Sequence, residues 1–524
     1  MSKWLDNAVF YEIYPQSFND TNADGIGDFQ GIIEKLDYIK ELGCNAIWIN
    51  PCFLSPFGDA GYDVADYCRV APRYGTNEDL KRVFEEAHKR DMHVLLDLVP
   101  GHTSVEHPWF KESMKADRNE FTDRYVWTNN VWEAPEGMGS LRGISERDGA
   151  CAINFFSNQP ALNYGFYQPD PEKTWQQSFD DEGPQATLAA MEDVMRFWLN
   201  MGCDGFRVDM ASSLVKNDTK NKKYTCKIWR NIRDMLDVEY PEAALIAEWN
   251  GPRMSLKNGF DMDFYLNWQG NGYNWLMRNY DGAMDSNPHN IGKAYFCKNS
   301  GTGIDKFLDD YLPAYKATHK DGLWCFITCN HDTIRPSAGL TTDELRLAYA
   351  TIFTLPGAPF VYYGDEIGMR YLPLPTKEGG YFRTGSRTPM QWDDTANHGF
   401  STADAQDIYL PVDTAADAPT VAAQADDPDS LLNSVKSLLA FRHAHADLNA
   451  DAPFKVLYAP KAKDDYRPFV WQRGDLICAV NPAGVSIELP LELAEDLKIQ
   501  YTIGKAEIVN DTLSLGAQSF AILG

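Results

Sequence analysis

Three acidic residues stand at the ends of three separate apolar runs of the chain. They are Asp209 in GFRVDM, Glu248 in ALIAEWN and Asp332 in FITCNHD. Cleavage of a glycosidic bond needs two carboxyl groups beside the bond, one that protonates the leaving oxygen and one that attacks the sugar or activates water. The distance between the two carboxyl groups decides whether the configuration at the anomeric carbon is retained or inverted. The three acids therefore predict an acid/base site.

The neighbours of two of these acids predict different roles for them. Arg207 lies two residues before Asp209, so on a strand both side chains point the same way and the guanidinium would keep the carboxylate ionised. This favours Asp209 as the nucleophile. Glu248 stands between Ala247 and Trp249, and an apolar wall raises the pKa of a carboxyl group toward the range of a general acid. This favours Glu248 as the proton donor.

The third acid and two histidines complete the predicted site. Asp332 would hold the hydroxyls of the distorted sugar, while His102 and His331 donate hydrogen bonds as charge develops on the ring. For each acid alone, an ordinary ion pair at a strand end explains the residue about as well as catalysis does. Several such segments in order along the chain favour the catalytic interpretation.

The elements that would position these residues alternate along the chain. From residue 9 onwards short apolar runs are followed by amphipathic helical patterns, which is typical of parallel β/α units. Eight such strands can be counted. We therefore predict an α/β fold, a (β/α)8 TIM barrel, in which side chains at the C-terminal strand ends meet at one mouth whatever their separation in sequence.

Two parts of the chain break the alternation. An irregular aromatic segment follows the third strand, and alternating strands with turn signals begin near residue 452. We predict a catalytic barrel formed by residues 1–102 and 177–450, an inserted subdomain at 103–176, and a C-terminal antiparallel β-sandwich domain at 451–524.

Composition excludes some partners. The formal net charge of −27 over 524 residues would repel nucleic acid and anionic membrane surfaces. No apolar run has the length of a signal peptide or a membrane span, and the ten cysteines are scattered without a CxxC pair. We predict a cytoplasmic protein with reduced thiols that binds a small molecule, as a monomer or a dimer.

A second candidate site lies near the N-terminus, in DTNADGIGD. Oxygen-bearing side chains alternate around a glycine turn, close to the rule for calcium loops. We predict a stabilising Ca²⁺ ion, with Mg²⁺ as the alternative. An Asx-rich turn without an ion would give the same pattern. The predicted ligands are the side chains of Asp20, Asn22, Asp24 and Asp28 and the carbonyl of Ile26.

The motifs together resemble the α-amylase superfamily, glycoside hydrolase family 13. The segments DLVPGH, GFRVDM, IAEW, FITCNHD, GYDVADY and RTPMQWD carry the resemblance over nearly the whole chain. DGIGDFQGI, YYGDEIGM and TPMQW are most similar to the oligo-1,6-glucosidase and α-glucosidase branch. The resemblance implies Asp209 as nucleophile, Glu248 as acid/base and Asp332 as transition-state stabiliser. It also implies a pocket closed behind the non-reducing glucose by Tyr62, Asp63 and Arg383.

The chain departs from the family pattern at three positions. Gly101 stands where the family usually has Asn, so a metal site using that Asn is not expected. Ala161 replaces an acid in QPALN, and Met210 follows the nucleophile. The preference between α-1,4 and α-1,6 linkages is therefore left open.

We predict a retaining α-glycosidase that trims glucose from the non-reducing end of short α-gluco-oligosaccharides. Rival predictions within the enzymes are an endo-acting α-amylase and a transglycosylase or isomerase of trehalose-synthase type. A non-catalytic sugar-binding barrel is a rival of another class. Such a protein would be expected to have lost catalytic carboxylates, whereas this chain keeps Asp209, Glu248 and Asp332.

Overall fold

The computed structural model describes residues 2–135, 137–267, 270–278, 294–380, 383–460, 467–489, 497–509 and 512–524. Its strands up to Tyr362 are short and mostly buried. They are β1 (Phe10–Ile13), β2 (Ala46–Ile49), β3 (Phe53–Leu54), β4 (Asp66–Val70), β5 (His93–Leu98), β6 (Ser140–Arg142), β7 (Ala150–Ala152), β8 (Gly205–Val208), β9 (Ala244–Ala247), β10 (Met262–Phe264), β11 (Leu323–Cys325) and β12 (Phe360–Tyr362).

Eight of these strands form one parallel sheet that closes on itself. The hydrogen-bonded order is β11-β10-β9-β8-β5-β2-β1-β12. The ring closes just after β11, where the N–H of Thr328 donates to the carbonyl of Phe360 (2.9 Å) and Ile327 pairs with the same residue. The predicted (β/α)8 barrel is confirmed. All C-terminal strand ends consequently face one mouth.

Helices cover the outside of this barrel, so strands such as AIWI and ALIA are buried along their whole length. The helix Asn77–His88 (α3) shows why they form: Thr76 and Asp79 make a capping box at its start, and Leu80, Val83 and Phe84 lie on its buried face. The helices are α1 (Phe29–Glu34), α2 (Leu36–Leu42), α3 (Asn77–His88), α4 (Pro108–Ser113), α5 (Glu182–Met201), α6 (Lys223–Glu239), α7 (Pro252–Ser255), α8 (Asp305–Thr318), α9 (Thr342–Ile352), α10 (Val421–Ala425) and α11 (Leu431–Ala444).

The irregular segment after β5 has a small core of its own. It contains α4 and the antiparallel pair β6 and β7, and Val126, Ala152, Ala161 and Phe166 pack together inside it. A bridge between His102 and Ala161 ties this segment to the end of β5. The insertion therefore forms one wall over the barrel mouth.

The C-terminal part consists of antiparallel strands, as predicted. A five-stranded sheet and a three-stranded sheet share one apolar cluster, which fits a sandwich. The limits at residues 102, 176 and 450 remain predictions. The strands are β13 (Phe454–Tyr458), β14 (Phe469–Arg473), β15 (Leu476–Asn481), β16 (Ile487–Glu488), β17 (Ile499–Ile503), β18 (Ala506–Val509), β19 (Thr512–Leu515) and β20 (Ser519–Leu523).

All ten cysteines are free thiols, and eight of them are buried. Among the residues that the structure describes, no helix is long and apolar enough to cross a membrane.

Candidate active site

One pocket at the barrel mouth collects most of the predicted site residues. Asp209 directly follows β8 and Glu248 directly follows β9, and these two strands are neighbours in the sheet. Asp97 lies on β5, next to β8 on its other side. Of the nine predicted catalytic and substrate-binding residues, six line the pocket, namely Tyr62, His102, Asp209, Glu248, Asp332 and Arg383. The other three, Asp63, Arg207 and His331, are buried beside it.

A single buried guanidinium holds three carboxyl groups. Arg207 Nη1 donates to Asp97 Oδ1 (2.8 Å) and to Asp209 Oδ1 (3.1 Å). Its Nη2 lies 2.8 Å from Glu248 Oε1. The expected contact between Arg207 and Asp209 is present, but Glu248 is not confined to an apolar wall, because it shares the same guanidinium. Arg207 also packs over the Trp48 ring, with its Cζ 5.0 Å from the ring centroid.

Burial and crowding change the protonation of this cluster. Burial, followed by the negative charge of Glu248, raises the pKa of Asp209 well above its usual range, although Arg207 acts in the opposite direction. Three carboxyl groups around one positive charge cannot all ionise easily in a buried site. The carboxyl cluster around Arg207 therefore favours a retained proton, and a general acid needs such a proton.

Asp332 has the opposite environment. Arg383 Nη1 (2.7 Å) and Arg387 Nη2 (2.8 Å) both donate to its Oδ1, and His331 Nε2 lies 3.3 Å from its Oδ2. Burial opposes ionisation, but His331 and then Arg383 hold the pKa of Asp332 well below its usual range. Asp332 is therefore a fixed negative charge in the pocket, which suits stabilisation of a cationic sugar and not proton donation.

Arg387 was not among the predicted site residues. The signal for it was present, since it is the first residue of RTPMQWD, the motif that carries part of the family resemblance. Its side chain is buried, its Nε donates to the carbonyl of His331 (2.8 Å), and its Nη2 reaches Asp332. Arg387 thus orients two neighbouring residues of the site at once.

Tyr62 and His102 stand on the same side of the pocket. The Tyr62 hydroxyl donates to Asp97 Oδ2 (3.0 Å), and its oxygen lies 2.7 Å from His331 Nε2. His102 Nε2 lies 3.1 Å from the Tyr62 carbonyl, while Asn154 Nδ2 lies 3.1 Å from its Nδ1. Burial lowers the pKa of His102 to about 4, so its ring is neutral at physiological pH.

The GYD motif contributes to the pocket differently from the expectation. Asp63 is fully buried and accepts hydrogen bonds from the Ser55 hydroxyl (2.9 Å) and from the main-chain N–H groups of Gly58 (2.8 Å) and Asp59 (3.0 Å). Asp59, four residues earlier, lines the pocket and pairs with Arg383 Nη2 (2.5 Å). Asp63 shapes the turn, and Asp59 presents the carboxylate.

The three departures from the family pattern cluster beside His102. A Cβ at Gly101 would lie 2.7 Å from Asn154 Nδ2, so the Asn154 side chain takes the space that a side chain at position 101 would need. Ala161 is buried in the bridge with His102. Met210 has a left-handed backbone (φ 42°), which aims its N–H at Glu248 Oε2 (3.0 Å). Met210 therefore supports the acid and also lines the pocket.

The predicted calcium loop folds through its own hydrogen bonds. Asp20 accepts the main-chain N–H groups of Asn22, Ala23 and Gly25 at 2.8–3.0 Å, and Asp28 caps α1 through Gly31 N–H (2.7 Å). In the described part of the chain no three or more His, Cys, Asp and Glu side chains form a group that could hold a metal ion. Ca²⁺ binding at this loop stays a prediction.

The fold and the pocket define a (β/α)8-barrel enzyme with paired carboxyl groups at the strand ends. Residues 12–451 match the α-amylase catalytic domain, and the chain belongs to this family, glycoside hydrolase family 13. A trehalose synthase/amylase from Mycolicibacterium smegmatis is 31% identical over 512 residues, covering 90% of this chain and 82% of the relative. An oligo-1,6-glucosidase from Heyndrickxia coagulans is 30% identical over 526 residues, covering 87% and 88%.

Solved structures show the same architecture. An α-amylase from H. orenii superposes with a TM-score of 0.75 at 25% identity over 99% of both chains. An isomaltulose synthase mutant from Erwinia rhapontici NX5, in complex with D-glucose, has a TM-score of 0.79 at 23% identity, covering 100% of this chain and 99% of that one. The similar proteins thus include an oligo-1,6-glucosidase and an α-amylase as well as proteins named trehalose synthase/amylase and isomaltulose synthase.

Proposed function

We propose that the protein is a retaining α-glucosidase that releases glucose from the non-reducing end of short α-gluco-oligosaccharides. The observation that carries this proposal is the arrangement of Asp209 and Glu248 on one guanidinium, in a pocket whose lining includes the Asp59–Arg383 ion pair. We infer that this ion pair closes one end of the pocket, which favours exo action because only a chain terminus fits against it.

Retention is supported by the register of the two strands. Val208 on β8 pairs with Ala247 on β9, so Asp209 and Glu248 follow in step on adjacent parallel strands. Neighbouring strands lie about 4.8 Å apart. Retaining glycosidases separate their carboxyl groups by about 5–5.5 Å, whereas inverting enzymes need about 6.5–9.5 Å to admit a water.

The proposed reaction has two steps. Asp209 attacks the anomeric carbon while Glu248 gives its proton to the leaving oxygen, which forms a covalent glucosyl-enzyme. Glu248 then takes a proton from water, and the water oxygen displaces Asp209. Asp332 stabilises the positive charge that develops on the ring in both steps. His331, Arg383 and Arg387 keep Asp332 ionised throughout.

Transfer is the second candidate function, favoured by the relatives named trehalose synthase. The covalent intermediate is the same, and a sugar hydroxyl replaces water as the acceptor. The side of the pocket that holds the leaving group decides whether water or a sugar hydroxyl acts as the acceptor. Met210 and Trp249 stand there beside Glu248 and are both partly exposed.

Product analysis tests these alternatives together. Maltose, isomaltose, maltotriose, panose, starch, sucrose and trehalose are incubated with the enzyme and with Asp209→Asn, and the products are separated by chromatography. Glucose release from the short substrates, with little action on starch, is expected. Endo products from starch would contradict exo action, and trehalose formed from maltose would favour the isomerase. No product from any substrate would refute the hydrolase and transferase proposals.

We further propose Ca²⁺, with Mg²⁺ as the alternative, as a stabilising ion of the loop that contains Asp20 and Asp28. The spacing of its oxygens supports this proposal. We expect the melting temperature to rise when Ca²⁺ is added to chelated protein, and Asp20→Ala to abolish the rise. An equal rise in both proteins would place the ion elsewhere, and no rise would contradict the proposal.

We propose a cytoplasmic location, supported by ten free cysteines, which suit a reducing compartment. Cell fractionation followed by an activity assay would test it. Light scattering would distinguish the monomer from the dimer.

A further inference from the structure

A buried carboxyl group on the first strand faces the catalytic centre from behind. Glu12 on β1 has no solvent exposure, and its Oε1 lies 2.8 Å from His331 Nδ1 and accepts from Asn50 Nδ2 (3.1 Å). Its Oε2 has no hydrogen-bond partner among the described residues. Burying a carboxyl group with so few hydrogen-bond partners costs folding free energy. This cost points to a role for the contact with His331 beyond packing.

The other side of the His331 ring faces the sugar site. Nε2 lies 2.7 Å from the Tyr62 hydroxyl oxygen and 3.3 Å from Asp332 Oδ2. The single hydroxyl proton of Tyr62 is directed to Asp97 Oδ2 (3.0 Å), so its oxygen accepts from His331. Nδ1 lies 3.1 Å from Asn50 Nδ2 but closer, 2.8 Å, to Glu12 Oε1, to which Asn50 Nδ2 also donates. The nearest partner of each ring nitrogen is therefore an acceptor, and each nitrogen needs a proton.

The charges around His331 support a doubly protonated ring. Burial opposes the imidazolium, but Asp332 and Glu12 raise the pKa of His331 to about 9. Burial by itself favours a neutral pair, because it raises the pKa of Glu12 and lowers that of His331. The negative charge of Asp332 favours the proton on the His331 ring. The titratable groups in contact with the ring are Glu12, Tyr62 and Asp332, and Tyr14 is stacked beside it. Asp97 and Arg207 lie behind the Tyr62 hydroxyl, and Arg387 donates to the main-chain carbonyl of His331.

We propose that Glu12 is a positioning residue of the reaction, which from β1 holds His331 as a doubly protonated donor beside Asp332 and the sugar. The inference rests on the proposed glycosidase function. Without the charge of Glu12, a neutral His331 would keep its proton on Nδ1 or on Nε2. If the proton is on Nδ1, Nε2 has no proton to donate to the Tyr62 oxygen or to the Asp332 carboxylate. If the proton is on Nε2, Nδ1 has no proton to donate to the side chain at position 12.

A direct test follows the ring itself. The full-length protein is labelled at histidine Cε1, and the His331 resonance is identified by its loss in His331→Asn. We expect this resonance to titrate with a pKa of about 9 in the wild type, because Asp332 and Glu12 both favour the protonated ring. In Glu12→Gln it should titrate at least one unit lower. An unchanged titration in Glu12→Gln would overturn the proposal.

Two variants separate charge from structure. Glu366→Gln is the matched control, because Glu366 is equally buried and accepts from Tyr11 and Tyr38 (both 2.7 Å). It should leave the His331 titration unchanged. Glu12→Asp keeps the charge and should keep most of the raised pKa. If Glu12→Asp and Glu12→Gln shift the titration equally, the role of Glu12 is packing and the proposal fails.

Kinetics give an independent readout. If the His331 pKa falls to about 7 in Glu12→Gln, only about one ring in ten is protonated at pH 8, so kcat/KM should drop about tenfold there and recover toward the wild type near pH 5.5. An equal loss at both pH values would contradict the proposal. If no variant or wild type is active, the proposed function fails, while the titration still tests the role of Glu12.

Discussion

At the scale of single residues, the site is governed by which charges each carboxyl group shares. Asp209 and Glu248 share Arg207 with a third acid, Asp97, whereas Asp332 has three positive partners, His331, Arg383 and Arg387. The carboxyl cluster around Arg207 therefore favours a retained proton, whereas Asp332 stays ionised. This difference separates acid/base chemistry from charge stabilisation within one small pocket.

The nucleophile assignment predicts the effect of Asp209→Asn. An amide cannot form the covalent intermediate, so kcat should fall by about 10⁴-fold or more on the best substrate of the panel. Asp261→Asn is the control, since Asp261 is also buried and paired, with Arg233 Nη1 at 2.9 Å, but lies before β10, at the opposite end of the barrel. A loss below tenfold in Asp209→Asn would refute the assignment.

The raised pKa of His331 predicts how stability depends on pH. A group with a folded pKa of about 9 and an unfolded value of about 6.5 stabilises the folded state fully below pH 6.5, and this contribution is lost as pH rises through 9. Its upper limit is about 3 kcal/mol.

Urea unfolding at pH 6.5, 8 and 9.5 measures this contribution. The wild-type free energy of unfolding should fall over this range by more than that of His331→Asn, which lacks the titrating ring. Parallel pH dependences of the two proteins would show that His331 is not held in the protonated form.

At the scale of elements, the long segment at 366–430, between β12 and α11, contributes to the lining of the pocket through Arg383. Glu378 is buried and accepts from the hydroxyls of Tyr14 (2.6 Å) and Tyr409 (2.5 Å), which anchors this segment to the barrel. Gly379 follows with a left-handed backbone (φ 71°) and lies directly against the Asp59–Arg383 pair. This segment is therefore part of the site.

Gly379→Ala should loosen the closed end of the pocket. A Cβ there would lie 2.8 Å from Arg383 Nη2 and 3.1 Å from Asp59 Oδ1, and φ is strained for alanine. Loss of one well-placed polar contact to the terminal sugar costs about 1.4 kcal/mol, so KM should rise about tenfold with little change in kcat.

Gly380→Ala provides a matched control on the next residue. Its Cβ would meet nothing within 4 Å in the described part of the chain, and its KM should stay within about twofold of the wild type. If both variants have the wild-type KM, the segment does not shape the closed end.

At the scale of the whole molecule, a buried arginine, Arg473, joins the C-terminal domain to the barrel, and a second, Arg442, bonds the same part of the barrel from α11. Arg473 on β14 is buried and donates to the carbonyl of Thr354 (2.7 Å), just after α9, and to the carbonyl of Asn449. Arg442 on α11 donates to the carbonyls of Phe353 (2.7 Å) and Gly357 (3.1 Å). These bonds satisfy carbonyls at the N-terminal end of the barrel. In this fold that end contributes to stability, whereas the chemistry takes place at the C-terminal end.

Arg473→Leu should destabilise the protein without changing the chemistry. It leaves buried carbonyls without a donor, which costs about 2–4 kcal/mol in the free energy of unfolding. Lys455→Ala, on the exposed face of β13, should change it by less than about 0.5 kcal/mol. Chemical denaturation measures both, and kcat should be unchanged in each. A lower kcat in folded Arg473→Leu would instead connect the C-terminal domain to the site.

Sequence pattern alone determined the strand order and the acids at three strand ends. The apolar runs are continuous because parallel strands are buried on both faces, and a barrel must bring their C-terminal ends together. Asp209, Glu248 and Asp332 therefore followed from sequence without knowledge of any distance.

The tertiary structure decided what surrounds these acids. Sequence reasoning placed Arg207 with Asp209 but could not give its contact with Glu248, which depends on the register of β8 and β9. It assigned Asp63 to the pocket, but Asp59 is the residue that lines the pocket. It did not include Arg387, which donates to Asp332. Beyond a strand end, side-chain direction is set by turns and by contacts distant in sequence, and the charge on each group depends on all its buried neighbours at once.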